Sequence, residues 1–265
     1  MKSINGRSPE EINKFYHWNY AHRGLHDIKS GVPENSLKAF ELAAEAGYGA
    51  ELDVQLSKDG QVVVFHDDDL KRVCGIDKRV DDFDFEELNK MSLLGTNETI
   101  PLFTQVLETF EKGKGPLIVE LKTGPKNKEL CQKTYDILKT YKRDFCIESF
   151  NPLIVKWFKD NAPEIFRGQL ATYPESYAKA APKPAANMMS NCAFSFINKP
   201  DFIAYYNFGD EKENAKTSLR ERPKAIARLR DKGIMLIAWT SRVPDIDQGK
   251  NDAVIFETYR PTTKY

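Results

Sequence analysis

Two carboxylates, Glu51 and Asp53, stand two residues apart in the segment YGAELDVQLSKDGQVVVFHDDDL, residues 48–70. Side chains of a β-strand alternate between faces, so Glu51, Asp53 and Gln55 share one face while Leu52, Val54 and Leu56 share the other. In an antiparallel sheet this is an ordinary amphipathic strand with its acidic face to water. In a strand covered on both sides it is costly, because a buried carboxylate must be paired, hydrogen-bonded or bound to a metal. Ser57-Lys58-Asp59-Gly60 is a turn signal, and the apolar run Val62–Phe65 then delivers His66 and Asp67 at its end. Two further runs end on charge: Trp18–Ala21 leads into His22-Arg23, and Leu117-Ile-Val-Glu-Leu-Lys122 places Glu120 and Lys122 on one face.

The residue types suggest chemistry. Glu51, Asp53 and Glu120 offer three hard oxygen donors with no cysteine nearby, a set suited to one divalent cation, Mg²⁺ or Ca²⁺ with Mn²⁺ as a further fit, rather than zinc. Packed together without a cation, they would raise one another's pKa. Arg23 and Lys122 suit an anionic substrate, arginine being the natural phosphate clamp. His22 and His66, two of four histidines, can divide the work of general base and general acid. Metal, cations and a histidine pair together describe a phosphodiester-cleaving site. Each member alone has a plainer reading: His22 as a core histidine, Lys122 as a structural partner of Glu120, Trp239 as core or substrate platform. Asp67-Asp68-Asp69 reads as a solvated turn, and His17 and His26 as bystanders.

Such groups need elements to position them. Short apolar runs alternate with helical patterns: strands are expected at 18–21, 50–56, 116–122, 145–150, 167–171, 201–206, 233–240 and 253–258. Helices are expected from Ser36 to Gly47, over 104–112, from Leu130 to Tyr141, after Asn151-Pro152, over 185–197 and over 222–231. Asp84-Phe-Glu-Glu87 resembles a capping box. Eight strands alternating with helices predict an α/β fold, a (β/α)8 TIM barrel with a small insertion, residues 67–100, after the second barrel strand. Catalytic groups of such barrels gather at the C-terminal ends of the strands, where these charges fall. The 265 residues read as one domain, 1–265.

Lysine plus arginine equals aspartate plus glutamate at 39 each, so no broad positive field is available for a nucleic acid. Four widely spaced cysteines without a CxxC pair read as free thiols in a reducing compartment. No signal-like amino terminus and no apolar run of ~18 residues is evident. A cytoplasmic protein without stable membrane anchoring is therefore expected, its oligomeric state left open.

His22-Arg23-Gly24, Pro33-Glu34-Asn35-Ser36, Glu51-Leu-Asp53, Asp59-Gly-Gln-Val-Val-Val-Phe-His66-Asp67 and Val119-Glu-Leu-Lys122 resemble, in order and spacing, the glycerophosphodiester phosphodiesterase family. Ser149-Phe150-Asn151-Pro152, Arg167-Gly168-Gln169-Leu170 and Ala238-Trp239-Thr240 extend the resemblance to about Glu257. It implies a metal-dependent TIM-barrel enzyme that hydrolyses small glycerophosphodiesters to sn-glycerol 3-phosphate and an alcohol. His22 and His66 would be the acid/base pair, and Glu51, Asp53 and Glu120 the metal ligands. Arg23 would contact the phosphate, with Lys122 close by and Trp239 on the substrate side. Ser36 stands where the family more often has threonine, and Thr240-Ser241-Arg242 departs from its tryptophan motif. The rival readings are a phospholipase D- or C-like barrel acting on lysolipids or intact lipids, and a non-catalytic barrel that binds phosphorylated ligands. The first would need an exposed apolar or basic docking loop, and the second should lack a histidine or carboxylate. A barrel using Lys122 as a Schiff-base nucleophile would be insensitive to chelators.

Overall fold

The computed structural model describes residues 5–177, 181–206, 223–242 and 250–265. Its fold is the (β/α)8 barrel, and it divides into two compact units, one of residues 20–145 and one of residues 1–19 with 146–265. The first helix, α1 (Pro9–Asn13), belongs to the second of these. It opens with a capping box in which Ser8 Oγ accepts from Glu11 N at 3.2 Å and Glu11 Oε2 accepts from Ser8 N at 2.7 Å.

The 20–145 unit runs through β1 (Asn19–Ala21), α2 (Leu37–Glu45), β2 (Gly49–Leu56), β3 (Val62–Val64), α3 (Lys71–Cys74), α4 (Phe85–Leu88), α5 (Phe103–Phe110), β4 (Leu117–Leu121) and α6 (Asn127–Leu138). Strand β2 pairs in parallel with β1 on one side and with β4 on the other. Both neighbours and the covering helices bury it, and only Gln55 is partly open. Register on β4 runs from Ala50 opposite Leu117 to Val54 opposite Leu121, which sets Asp53 beside Glu120. Strand β3 is the turned-back run after Gly60 and pairs antiparallel with the last three residues of β2. Helix α2 starts where Ser36 Oγ accepts from Ala39 N at 3.1 Å, and it buries Ala39, Phe40, Ala43 and Ala44.

Residues 67–100 form the expected insertion, and it carries its own apolar core. Leu70, Val73, Val80, Leu88, Leu93 and Ile100 pack with Val63 and Phe65 of the β3 run. At the start of α4, Asp84 N donates to Glu87 Oε2 at 3.0 Å, one arm of the expected capping box.

The other unit contains β5 (Phe145–Ser149), α7 (Pro152–Asn161), β6 (Arg167–Ala171), α8 (Lys183–Ser190), α9 (Ser195–Asn198), β7 (Phe202–Tyr206), α10 (Lys224–Asp231), β8 (Met235–Ser241) and β9 (Ala253–Phe256). Neighbouring strands from β5 to β9 pair in parallel. Asn151 caps α7, its Oδ1 accepting from Leu153 N at 3.0 Å, with Pro152 in the first turn. The single helix expected over 185–197 is two helices, because the chain turns left-handed at Cys192 (φ 49°) and α8 cannot continue. Residues 178–180, and Arg222 at the start of the helix expected over 222–231, lie outside the described residues. Among the described residues no helix is long and apolar enough to cross a membrane, and all four cysteines are free thiols.

Candidate active site

Glu51, Asp53 and Glu120 are 3%, 1% and 7% exposed, so all three carboxylates are out of water. Alternation along β2 and the Asp53–Glu120 register put them on one face, where one oxygen of each lies within 4.8 Å of the others. This is the convergence expected from strand parity.

The chain leaving β1 wraps this cluster. Arg23 adopts a left-handed backbone (φ 53°), a conformation that costs a non-glycine residue roughly 1 kcal/mol. It aims the Arg23 N–H at Glu51 Oε2, 3.0 Å away. Gly24 follows, also left-handed (φ 78°); a Cβ there would lie 2.8 Å from Ala39, so the turn can press against α2 only as glycine. His22 Nε2 stands 3.9 Å from Glu51 Oε2. The Arg23 guanidinium donates from Nη1 to Glu34 Oε1 at 2.7 Å and places Nε 3.5 Å from Asp53 Oδ2.

Lys122 follows β4, its backbone N–H bonded to Val54 O at 3.0 Å. Its Nζ lies 3.0 Å from Glu120 Oε1 and 3.4 Å from Asp53 Oδ1. It therefore does pair with Glu120, as the plainer reading had it, while also facing Asp53. His66 follows the β3 run, anchored by Phe65 N donating to Asp53 O at 3.0 Å. Gln55 Nε2 holds the turn by donating to Phe65 O (2.8 Å) and Asp67 O (3.0 Å).

Several residues outside the expected set belong to the site. Asn35 is buried, left-handed (φ 55°), and donates from Nδ2 to Asp53 Oδ2 at 2.8 Å. Asp67 is a correction to the solvated-turn reading: its Oδ1 lies 2.6 Å from His66 Nδ1, and both oxygens accept from Arg72. Asp68 and Asp69 are exposed, as that reading expects. Glu34 receives Arg23 on one side and Arg72 on the other. In Pro33-Glu34-Asn35-Ser36, Ser36 caps the helix expected to start there, and the two residues before it contact Arg23 and Asp53.

Charge distribution follows from these contacts. Burial alone would raise the Glu34 carboxyl, but hydrogen bonds from Arg72 and the charge of Arg23 outweigh it and hold the group at about 2. For Asp53 too burial is the largest influence and is overridden, here by His66, Lys122 and Arg23, so the carboxyl sits well below its usual range. Glu120 goes the other way: burial, aided by Asp53, outweighs Lys122 and pushes its carboxyl up. Five carboxylates (Glu34, Glu51, Asp53, Asp67, Glu120) face three permanent cations (Arg23, Arg72, Lys122). The deficit of two charges, three adjacent hard oxygen donors and the buried Asn35 Oδ1, which has no hydrogen-bond partner, fit a divalent cation.

Trp239 belongs to the other unit. Its Nε1 donates to Ala204 O at 3.0 Å and Ala171 O at 3.3 Å, and its ring meets Phe150 edge-on (5.5 Å) and Tyr206 at a tilt (4.9 Å). The indole is thus fixed within an aromatic cluster at the ends of β6 and β7. Strand β5 of that unit carries a buried carboxylate, Glu148, that the apolar pattern of the strand had hidden. His17 is the expected bystander, packed edge-on against Tyr16 and Tyr265 at 4.2 and 5.1 Å.

By its family match the chain is a barrel enzyme of a class that handles phosphoric diesters. Residues 22–257 match the Glycerophosphoryl diester phosphodiesterase family, and the chain belongs to it. YhdW of Bacillus subtilis is 30% identical over 227 residues, covering 83% of this chain and 84% of YhdW. A glycerophosphodiester phosphodiesterase of Caldanaerobacter subterraneus is 36% identical over 163 residues, 57% of this chain and 65% of that protein. Among solved structures, a phosphodiesterase of Oleispira antarctica in complex with the product sn-glycerol-3-phosphate superposes with a TM-score of 0.71 at 24% identity. That match covers 92% of this chain and 94% of the other. The chain is an enzyme of the family, a glycerophosphodiester phosphodiesterase.

Proposed function

We propose that this enzyme hydrolyses small, deacylated glycerophosphodiesters to sn-glycerol 3-phosphate and an alcohol, with one divalent cation and a histidine pair. The observation that carries the reading is the buried carboxylate triad, Glu51, Asp53 and Glu120, lying against Arg23 and Lys122. The family match and the named activity of the Caldanaerobacter relative support the substrate class, and the product is the one the Oleispira phosphodiesterase binds.

Glu51, Asp53 and Glu120 would hold the cation, Mg²⁺, Ca²⁺ or Mn²⁺ by donor chemistry. When bound, such an ion supplies positive charge to a phosphoryl oxygen and orients the substrate. Arg23 faces the phosphate and stabilises the charge that builds on its oxygens; Lys122 holds Asp53 and Glu120 in place. One histidine of the His22–His66 pair removes the proton from the attacking oxygen, and the other returns a proton to the departing alkoxide as the P–O bond breaks. The attacking oxygen is that of water, or of the adjacent glycerol hydroxyl, in which case a cyclic phosphate forms as the alcohol leaves and water then opens it to glycerol 3-phosphate. Residues 1–265 act as one catalytic domain in this reading, supported by a family match that runs through both compact units. The four free thiols support a cytoplasmic setting.

The test is release of glycerol 3-phosphate from glycerophosphocholine and glycerophosphoethanolamine by the purified chain, with each cation in turn and with EDTA. Metal-dependent release is expected. No release with any cation from either substrate would refute the reading.

A further inference from the structure

The insertion, residues 67–100, also reaches the proposed site. One of its side chains reaches back and joins two groups that the reaction uses. Arg72, on α3, presents both edges of its guanidinium to a different carboxylate. Along one edge, Nε donates to Asp67 Oδ2 at 2.7 Å and Nη2 to Asp67 Oδ1 at 3.0 Å. Along the other, Nη1 donates to Glu34 Oε2 at 2.8 Å and Nη2 to Glu34 Oε1 at 2.7 Å. Each carboxylate then touches a site residue: Asp67 Oδ1 lies 2.6 Å from His66 Nδ1, and Glu34 Oε1 accepts from Arg23 Nη1 at 2.7 Å.

We infer that Arg72 is a positioning residue: its guanidinium locks Asp67 onto His66 and Glu34 onto Arg23, fixing the orientation and tautomer of the histidine. This rests on the role proposed above for His66 and Arg23.

Three physical arguments carry it. The first concerns the tautomer. Asp67, held well below the usual carboxylate range because hydrogen bonds from His66 and Arg72 outweigh its burial, is ionised and can only accept. The proton between them therefore sits on Nδ1, leaving Nε2 as the atom that exchanges a proton with substrate.

The second concerns rigidity. Arg72 is about half exposed (47%), and an exposed ion pair ordinarily contributes little. Here the backbone beside it is anchored. Leu70 and Val73 are buried in the insertion core, and Leu94 N bonds to Val73 O at 2.8 Å. The guanidinium starts from a fixed point, so little freedom is lost in making four bonds.

The third concerns shape. Two carboxylates received side-on and end-on by one planar group need the five-donor fork of arginine, and a lysine ammonium has no such geometry. A role that was only charge compensation would accept lysine.

The experiment uses the full chain with ¹⁵N-labelled histidine and two variants, Arg72→Lys and Arg72→Ala. With only four histidines, the ring nitrogens of His66 can be assigned. The wild type is expected to show the Nδ1–H form of His66, and both variants a mixture of tautomers. Turnover of a glycerophosphodiester should fall roughly 10- to 100-fold in kcat for both, with KM changed less, as when the partner of a working histidine is removed. Arg79→Ala, which removes an exposed arginine paired with Asp81 on the same insertion, should leave kcat and the His66 signals unchanged. Unmoved His66 signals in Arg72→Ala, or full kcat in Arg72→Lys, would overturn the inference. The nitrogen measurement needs no turnover, so it decides this point even if the chain proved inactive toward every glycerophosphodiester, the result that refutes the hydrolytic reading.

Discussion

The 20–145 unit holds two groups of carboxylates, built in opposite ways. At the rim, Glu34 and Asp67 meet Arg23, Arg72 and His66 through hydrogen bonds, most of them of 2.6–2.8 Å. Inside, Glu51, Asp53 and Glu120 share Lys122 at 3.0–3.4 Å from two of them, with His22 at 3.9 Å from the third. The rim is electrostatically complete and holds its geometry without a ligand. The inner group is short of positive charge: its three carboxylates face one lysine, and burial, with Asp53 adding to it, pushes the Glu120 carboxyl up. On the proposed reading, the difference separates what the protein fixes in advance from what it leaves for a cation.

Six substitutions would break or sharpen that contrast. The largest effect is expected from Asp53→Asn or Glu51→Gln, each of which should cost roughly 10²–10⁴-fold in turnover, comparable to losing an acid/base group. They should also abolish the rise in Tm on adding a divalent cation, which at a hundredfold excess over Kd corresponds to about 2.7 kcal/mol in the wild type. An unaltered thermal shift in both variants would place the cation elsewhere. His22→Ala and His66→Ala should each cost roughly 10²–10⁴-fold in kcat while keeping that thermal shift, since neither belongs to the carboxylate triad proposed to hold the cation. A variant with near-normal turnover would remove that histidine from the mechanism.

Glu34→Gln probes the rim by pH. The Glu34 carboxyl is depressed to about 2 from its ordinary 4.5, so its ionised form favours the folded state. That stability is fully present above about pH 4.5 and is lost as pH falls through about 2, and it amounts to about 3 kcal/mol at most. The wild type should lose more Tm than Glu34→Gln between pH 4.5 and pH 2; parallel curves would show that the rim is not held by charge. The smallest effect is expected at Lys71, whose pair with Asp77 is 65% and 79% exposed. Lys71→Ala should change stability by less than about 0.5 kcal/mol in a denaturant titration, with activity intact.

The inner group was legible in the sequence and most of the rim was not. Strand parity places Glu51 with Asp53, and Glu120 with Lys122, because alternation is a local property of extended backbone; that the two strands bring them together followed from the barrel fold. The barrel strands were found to within about two residues because strands buried on both faces read as short apolar runs. Arg72 gives no such signal. It lies on a four-residue helix with no periodicity, and its partners stand five and 38 residues away. Asp67 looked like one of three turn aspartates until the arginine that singles it out was in place. Glu34 and Asn35 stood out only as part of a family motif ahead of the helix at Ser36, since nothing local says that a turn also delivers side chains to a neighbouring strand. The break between α8 and α9 was hidden because the left-handed turn falls on Cys192, not on a glycine or a proline.

The most direct test of the central claim is to count the cation. Mn²⁺ titrated into metal-free protein and followed by electron paramagnetic resonance should show one site per chain in the wild type and none in Asp53→Asn, with hydrolysis of glycerophosphocholine rising in step with occupancy. Equal Mn²⁺ binding by the two proteins, or full hydrolysis by the wild type stripped of metal, would contradict the claim that the buried triad is the metal-holding heart of the site.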